Sequence, residues 1–207
     1  MYLVTVDIVL DRSLIRDVLK AVIHTILFHR LFNLVRPVSP PQEVLDVTFP
    51  SVQDSALDAL IAEKLSRLTA LLDATAAQFS IPAPSFASLG LGSHTNVKHA
   101  QIVVSFYEKV TRKAWFSKSE EEICWEKWTI NVSCITECDD VERARLTRAA
   151  EKQLQTILLQ VIEFVNDNKG HIPAIRTAEE NPFPYQITLP PETEESWGTV
   201  LRKILVE

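Results

Sequence analysis

Apolar residues at the start of the chain follow first a strand period and then a helix period. Residues 2–10 alternate in part between apolar and polar side chains, which predicts a strand that stops at Asp11, a residue suited to capping a helix. From there to about Phe32, leucine, isoleucine and valine recur in two adjacent rows at helical spacing. Together these rows cover more than half of the helix circumference, so we expect this helix to be buried along much of its girth, under a sheet.

The rest of the chain continues to alternate between strands and helices. The predicted elements, in chain order, are a proline-rich loop at 36–42, a short strand at 44–49, a helix capped by Ser51 or Asp54 that runs to Phe79, a loop at 80–96, two paired strands at 98–110 and 123–135, a long helix capped by Thr136 or Asp139 that ends before Gly170, and two late strands at 185–189 and 199–206. The loop at 80–96 is rich in Pro, Gly, Ser and Ala, and we interpret it as long and mobile. This order predicts an α+β fold and one domain over residues 1–207.

The second of the paired strands changes the phase of its apolar residues midway. Ile123 and Trp125 lie at odd positions, whereas Trp128 and the apolar residues after it lie at even positions. Because side chains alternate between the faces of a regular strand, the two sets would point to opposite faces. One extra residue near 126–127, a β-bulge, would bring both sets to the same face.

Composition argues against several classes of function. The chain has 207 residues, a formal net charge of −6 and only four glycines. Neither a phosphate-binding P-loop nor a dinucleotide-binding fingerprint can be assembled from these glycines, and the chain has no Gly-x-Ser-x-Gly motif. The acidic balance, without a cluster of Lys and Arg, argues against nucleic-acid binding. Most of the common enzyme signatures are therefore absent, and no cofactor is predicted.

The cysteines and histidines also indicate no metal or redox site. Three cysteines and an N-terminus unlike a signal peptide indicate a reducing, cytoplasmic location, and no apolar run is long enough to span a membrane. Cys134 is predicted to face the core, and no second Cys or His pair lies near it and Cys138 to complete a zinc site. The close histidine pairs are five residues apart, which does not place both rings on one face, and His29 is predicted to be buried and neutral. We predict no catalytic and no metal-binding residue.

The segment that links the two paired strands, residues 111–122, is the strongest candidate for a binding site. It is longer than the usual hairpin loop of about two to five residues. It carries Trp115 and Phe116 near its centre, with basic residues on both sides and a run of three glutamates that we interpret as solvated. Two adjacent rings in a polar loop cannot easily both turn inward, and exposing both is typical of a protein-binding site. The alternative is that the loop folds back and both rings cover their own core.

A second candidate surface lies on the solvent side of the third helix. Leu159 falls outside the apolar arc by helical phase, and it is surrounded by Arg148, Lys152 and Gln155. We predict that a protein partner docks on these four residues.

Five short stretches of the chain resemble a known family. They are Val-Ile-His-Thr-Ile-Leu-Phe-His-Arg at 22–30, Leu-Asp-Val-Thr-Phe at 45–49, Ser-Phe-Tyr at 105–107, Trp-Phe at 115–116 and Cys-Trp-Glu-Lys-Trp-Thr at 124–129. With these stretches the chain resembles the autophagy-related protein 101 family, and the third helix and late strands agree with it in order.

The resemblance implies a HORMA fold, in which a central, mainly antiparallel sheet packs against three long helices and late C-terminal strands follow. It also implies a non-enzymatic scaffold of the autophagy-initiation kinase complex that forms a heterodimer with, and stabilises, the HORMA domain of autophagy-related protein 13. Trp115 and Phe116 would then form an exposed finger that recruits downstream factors to the phagophore assembly site, as autophagosome formation requires. HORMA dimers use the helix equivalent to the third helix here, in agreement with the predicted docking surface.

Two other functions are left open by the sequence. A HORMA adaptor of another pathway, which closes its C-terminal strands around a peptide, would share the fold but not the aromatic finger. A small α/β enzyme would need a pocket with convergent polar groups, and no such set is visible in the sequence.

Overall fold

The computed structural model describes residues 1–32, 37, 41–74, 97–114, 117–136, 138–175 and 181–189, with the backbone alone at 111–114 and 117–120. Its elements, in chain order, are β1 (Tyr2–Asp11), α1 (Ile15–Arg30), β2 (Gln42–Val44), β3 (Val47–Phe49), α2 (Ser55–Asp73), β4 (Val97–Ala114), β5 (Ser117–Ile135), α3 (Asp140–Asp167) and β6 (Tyr185–Thr188). The predicted loop at 80–96, the predicted strand at 199–206 and Phe79 lie outside the described residues.

The described residues form two sheets, and the larger has four strands in the order β1-β5-β4-β6. β1 runs parallel to β5, whereas β4 is antiparallel to both β5 and β6. β2 and β3 form a separate two-stranded sheet. The predicted α+β fold, with a mainly antiparallel sheet and three long helices, is confirmed.

α1 lies between the other two helices and is buried over most of its surface. It contacts both α2 and α3, and its apolar residues belong to the same core cluster as those of the sheet, as its wide apolar arc predicts. The predicted cap is wrong, because the residue before the helix is Leu14, whose side chain makes no capping bond. Asp11 instead accepts hydrogen bonds from the backbone N–H and the hydroxyl of Ser13, so it stabilises the turn between β1 and α1.

Aspartates cap the other two helices, as predicted. The carboxylate of Asp54 accepts hydrogen bonds from the backbone N–H groups of Ala56 and Leu57 at the start of α2. Asp139 accepts one from the N–H of Glu142 at the start of α3. Each carboxylate satisfies amides that have no partner within the helix and interacts favourably with the helix dipole.

The region predicted as one strand, 44–49, is a hairpin. Val44 lies opposite Val47 in the antiparallel pair of β2 and β3. The two residues between them, Leu45 and Asp46, have φ angles of 52° and 57°. Two consecutive residues in this left-handed region form the short turn whose twist matches a hairpin. Neither is glycine or asparagine, so the usual sequence signal for this turn is missing.

The β-bulge predicted in the second paired strand is present, slightly before the predicted position at 126–127. The register between β4 and β5 shifts after Phe106, and Trp125 is left without a partner on β4. Trp125 and Trp128 are both buried in the core, as predicted. Ile123 is 41% exposed and lies outside the core, which corrects the prediction for this residue.

α3 covers the outer edge of β1. The side-chain oxygen of Gln153 accepts a hydrogen bond from the N–H of Val9 at 2.9 Å, and its nitrogen donates to the Val9 carbonyl at 3.1 Å. The glutamine amide thus takes the place of a neighbouring strand and satisfies an edge that would otherwise be open to pairing.

Candidate protein-binding surfaces

β4 and β5 continue beyond the four-stranded sheet as a two-stranded ribbon. We define the ribbon as residues 108–114 of β4 and 117–123 of β5, which among the described strands pair only with each other. At about 3.3 Å per residue, a ribbon of roughly seven residues per strand extends roughly 23 Å. The prediction of a loop over 111–122 is wrong, because both strands remain paired as far as Ala114 and Ser117.

The end of the ribbon coincides with the predicted finger. Trp115 and Phe116 are the two residues between the last residues of β4 and β5, and they lie outside the described part of the chain. Near the base of the ribbon, Glu121, Glu122 and Ile123 are exposed. The described side chains of β5 beyond the bulge therefore add little to the core of the protein.

At the base of the ribbon, the fully buried carboxylate of Glu126 joins several elements of the fold. The Nε of Arg30, at the end of α1, donates to both carboxylate oxygens at 2.8 and 3.0 Å. The indole Nε1 of Trp128 donates to Oε1, and the Nε2 of His171 lies 2.6 Å from Oε2. An ionised carboxylate only accepts hydrogen bonds, so His171 carries its hydrogen on Nε2. We call these four residues the Glu126 cluster.

Further contacts attach the Glu126 cluster to β1 and α3. The ring of Tyr2 stacks on that of His171 with a centroid distance of 3.9 Å. The guanidinium of Arg30 lies 5.9 Å from the centre of the Phe164 ring and donates to the carbonyl of Asn168, the residue that caps the end of α3. The ends of α1 and α3 and the start of β1 are therefore all tied to the base of the ribbon.

No prediction from the sequence singled out the Glu126 cluster, although a signal is present. Glu126 lies in the same even phase as Trp128 and the core-facing residues after it. A charged residue in a core-facing phase requires a buried partner. What the phase does not reveal is the identity of that partner, because Arg30 and His171 are distant in sequence.

The exposed side of α3 carries the four residues predicted to bind a partner. Arg148, Lys152 and Gln155 are exposed, and Leu159 is 59% exposed. Their spacing places them along one side of the helix. We call this set the α3 stripe.

An apolar groove adjoins the α3 stripe. It has a volume of about 330 Å³ and lies between α3 and the residues in and after β3, with Val47, Pro50, Leu158, Leu159 and Ile162 in its lining. Ile162, an apolar residue of α3, is 36% exposed and lines this groove. An apolar depression beside exposed polar and charged side chains is typical of a surface that binds another protein.

Burial of two histidines and one cysteine favours the uncharged forms of their side chains. His24 is fully buried, whereas His29, predicted to be buried, is only half-buried. Burial lowers the pKa of both imidazoles. Cys134 faces the core as predicted, and burial raises the pKa of its thiol to about 11, which disfavours the reactive thiolate.

Among the residues that the structure describes, no group of three or more His, Cys, Asp or Glu side chains could hold a metal ion. In the same residues, no helix is both long enough and apolar enough to cross a membrane.

Comparison with known proteins identifies the family. The model of the family described as autophagy-related protein 101 matches residues 7–179. The chain belongs to the autophagy-related protein 101 family. Autophagy-related protein 101 of Arabidopsis thaliana is 28% identical over 203 residues, which cover 89% of this chain and 84% of the plant protein. The protein of the same name from Schizosaccharomyces pombe is 27% identical over 205 residues, which cover 99% of this chain and 95% of the yeast protein.

Membership of the autophagy-related protein 101 family confirms the resemblance and supports an autophagy-related role for the chain. Two of the stretches that carry this resemblance meet in the Glu126 cluster. Arg30 ends the stretch at 22–30, and Glu126 and Trp128 belong to the stretch at 124–129. Both stretches thus contribute side chains that hold the base of the ribbon.

Proposed function

We propose that the chain is a non-enzymatic scaffold of autophagy initiation, with residues 1–207 forming one HORMA domain. It forms a heterodimer with the HORMA domain of autophagy-related protein 13, stabilises it and joins the autophagy-initiation kinase complex. It acts in the cytoplasm and at the phagophore assembly site, where Trp115 and Phe116 recruit downstream factors. The observation that carries the proposal is the ribbon, whose two strands end on either side of this aromatic pair.

The length of the ribbon and the exposed side chains at its base on β5 support recruitment through Trp115 and Phe116. The strands stay paired to the end of the ribbon, and the described side chains at its base on β5 are exposed. Aromatic residues dominate binding hot spots, and truncating one commonly costs about 2 kcal/mol or more, which is roughly a 30-fold loss of affinity. The same rings in the core of the protein would cost about 3 to 5 kcal/mol of stability when truncated. The two roles therefore predict opposite outcomes.

The double substitution Trp115→Ala with Phe116→Ala separates these roles. We expect the melting temperature and the binding to the partner HORMA domain to stay close to wild type, while autophagosome formation fails in cells that lack the endogenous protein. Ile123→Ala is the matched control, because it removes an exposed apolar side chain at the base of the ribbon and should leave autophagosome formation intact. A large drop in melting temperature, or normal autophagosome numbers with the double variant, would contradict recruitment by this pair.

The α3 stripe and its adjoining groove support docking of the HORMA partner on this side of the molecule. Arg148 and Lys152 place two positive charges on the same side of α3 as the exposed Leu159. A partner surface with complementary negative charge is attracted to this site, and like charges placed across an interface oppose binding by several kcal/mol. The apolar groove offers a place for a side chain of the partner beside these charges.

Reversing both charges, with Arg148→Glu and Lys152→Glu, tests this placement. We expect at least about a tenfold loss of affinity for the HORMA domain of autophagy-related protein 13, corresponding to about 1.4 kcal/mol, with no loss of stability. The control, Arg67→Glu with Lys169→Glu, changes the net charge equally at exposed positions outside the stripe. If calorimetry gave the same affinity for both double variants, the partner would dock elsewhere.

A further inference from the structure

We propose that the Glu126 cluster is a positioning device, which fixes the angle at which the ribbon leaves the sheet and so directs the residues at the ribbon's end. The inference rests on the proposed function, since it assigns to Arg30, Glu126 and His171 the task of presenting the recruiting pair. These residues act through the ribbon and do not contact the recruited factor themselves.

The base of the ribbon needs such a device because the ladders of both flanking strands end there, with one further backbone bond from the Tyr107 N–H to the Pro184 carbonyl at 2.8 Å. The pairing of β1 with β5 begins at Glu126, and the pairing of β6 with β4 ends at Phe106, so both flanking strands stop at the base. At the same level, Trp125 has no partner on β4. A bulge bends and twists the strand that contains it, and a two-stranded ribbon by itself is only marginally stable. Backbone hydrogen bonds alone therefore leave the angle of the ribbon poorly determined.

Side chains on both sides of the bulge compensate for this weakness. Trp125 is buried among three rings, with centroid distances of 5.8 Å to Phe106, 5.3 Å to Phe183 and 5.5 Å to His171. The next residue, Glu126, is held by donors from α1, from β5 itself and from the segment after α3. The two residues that define the bend are thus anchored to the body of the protein.

The chemistry of the Glu126 cluster suits positioning better than it suits stability. Burying an ion pair requires desolvation of both charges, and apolar residues of the same volume are often as stable or more stable. Hydrogen bonds to a carboxylate are directional, however, whereas apolar side chains in contact can slide past each other. The donors from α1, from β5 itself and from the segment after α3 therefore define one position for the carboxylate. Arg30 already balances the charge of Glu126, so His171 is needed here as a hydrogen-bond donor that ties the end of α3 to the ribbon.

Distance measurement by pulsed electron paramagnetic resonance tests the inference on the full chain without any partner. Spin labels on non-natural amino acids at Ser119 in the ribbon and Arg67 on α2 report the angle of the ribbon, and labels at Arg67 and Val141 on α3 report the body of the protein. The variants are His171→Phe, which keeps an aromatic ring beside Tyr2 but removes the donor, and His171→Gln, which keeps a donor but removes the ring. We expect His171→Phe to at least double the width of the Ser119–Arg67 distribution and His171→Gln to leave it near wild type.

The reference pair separates positioning from a merely structural role. The distribution between Arg67 and Val141 should be unchanged in both variants, and Glu126→Gln, which keeps the shape of the side chain but removes its charge, should broaden only the ribbon distribution. Three results would overturn the inference. The first is broadening of the distance distributions of both label pairs, and the second is an unchanged Ser119–Arg67 distribution in both His171→Phe and Glu126→Gln. The third is equal broadening of that distribution in His171→Gln and His171→Phe. These distances do not depend on recruitment. The positioning role can therefore fail while recruitment by Trp115 and Phe116 holds, and recruitment can fail while the positioning role holds.

Discussion

The substitution Glu126→Ala is expected to destabilise the protein strongly. It leaves the guanidinium of Arg30, which is only 2% exposed, without its counter-charge. Removing one partner of a buried ion pair costs about 3 to 5 kcal/mol. It also leaves the donors of Trp128 and His171 without an acceptor, at about 1 to 3 kcal/mol for each buried group. Contributions within one cluster are not additive, so we expect a total loss of about 4 to 6 kcal/mol, comparable to the whole stability of many domains.

Urea unfolding followed by tryptophan fluorescence measures this loss, because Trp125 and Trp128 flank the substituted residue. The double variant Arg30→Met with Glu126→Leu removes both charges and keeps most of the volume. It should recover at least about half of the lost free energy, since no buried guanidinium is left without a counter-charge and only the donors of Trp128 and His171 remain unpaired. Glu163→Ala, on the exposed side of α3, is the control and should stay within about 0.5 kcal/mol of wild type.

Two outcomes would contradict this account of the Glu126 cluster. A loss below about 1 kcal/mol for Glu126→Ala would mean that water or a rearrangement satisfies Arg30 in the variant. A double variant as unstable as the single one would mean that the cost comes from lost packing and not from an unpaired buried charge.

Two further predictions concern pH and the edge of β1. Burial lowers the pKa values of His24, His29 and His99 below the ordinary value of 6.5. Protonation of these imidazoles therefore favours the unfolded chain. The free energy of unfolding contains this contribution in full above pH 6.5 and should therefore fall as the pH is lowered from 7 to 5. In urea unfolding, the free energy of His24→Phe should depend less steeply on pH than that of the wild type. Equal slopes for the two proteins would contradict this origin. Gln153→Ala leaves the N–H and C=O of the buried Val9 without partners and should cost about 2 kcal/mol in the same assay. Gln155 is exposed on the same helix, and Gln155→Ala should cost less than about 0.5 kcal/mol. Equal losses of stability in the two variants would show that the hydrogen bonds to Val9 contribute no more than an exposed side chain does.

Local patterns in the sequence predict those features that depend on neighbouring residues. The aspartates at 54 and 139 are recognisable as caps because a capping side chain bonds amides only two or three residues away. The exposure of Leu159 follows from helical phase, and the bulge follows from a change of strand phase within a few residues. The stretches typical of the family are likewise readable without coordinates.

Features that depend on distant residues appear only in the tertiary structure. The parallel pairing of β1 with β5 joins residues more than a hundred positions apart, and no local pattern specifies the partner of a strand. The paired strands run on to the Trp-Phe pair because β4 and β5 support each other, although each has too few apolar residues there to be recognised as a strand alone. Glu126 is placed by a cation 96 residues away, at the end of α1, and by an imidazole 45 residues away, after α3. From the sequence alone, the three helices, most of the strands, the caps of α2 and α3 and the family can be predicted. Folding decides which buried charges meet and how the ribbon is held, because burial brings groups together irrespective of their separation along the chain.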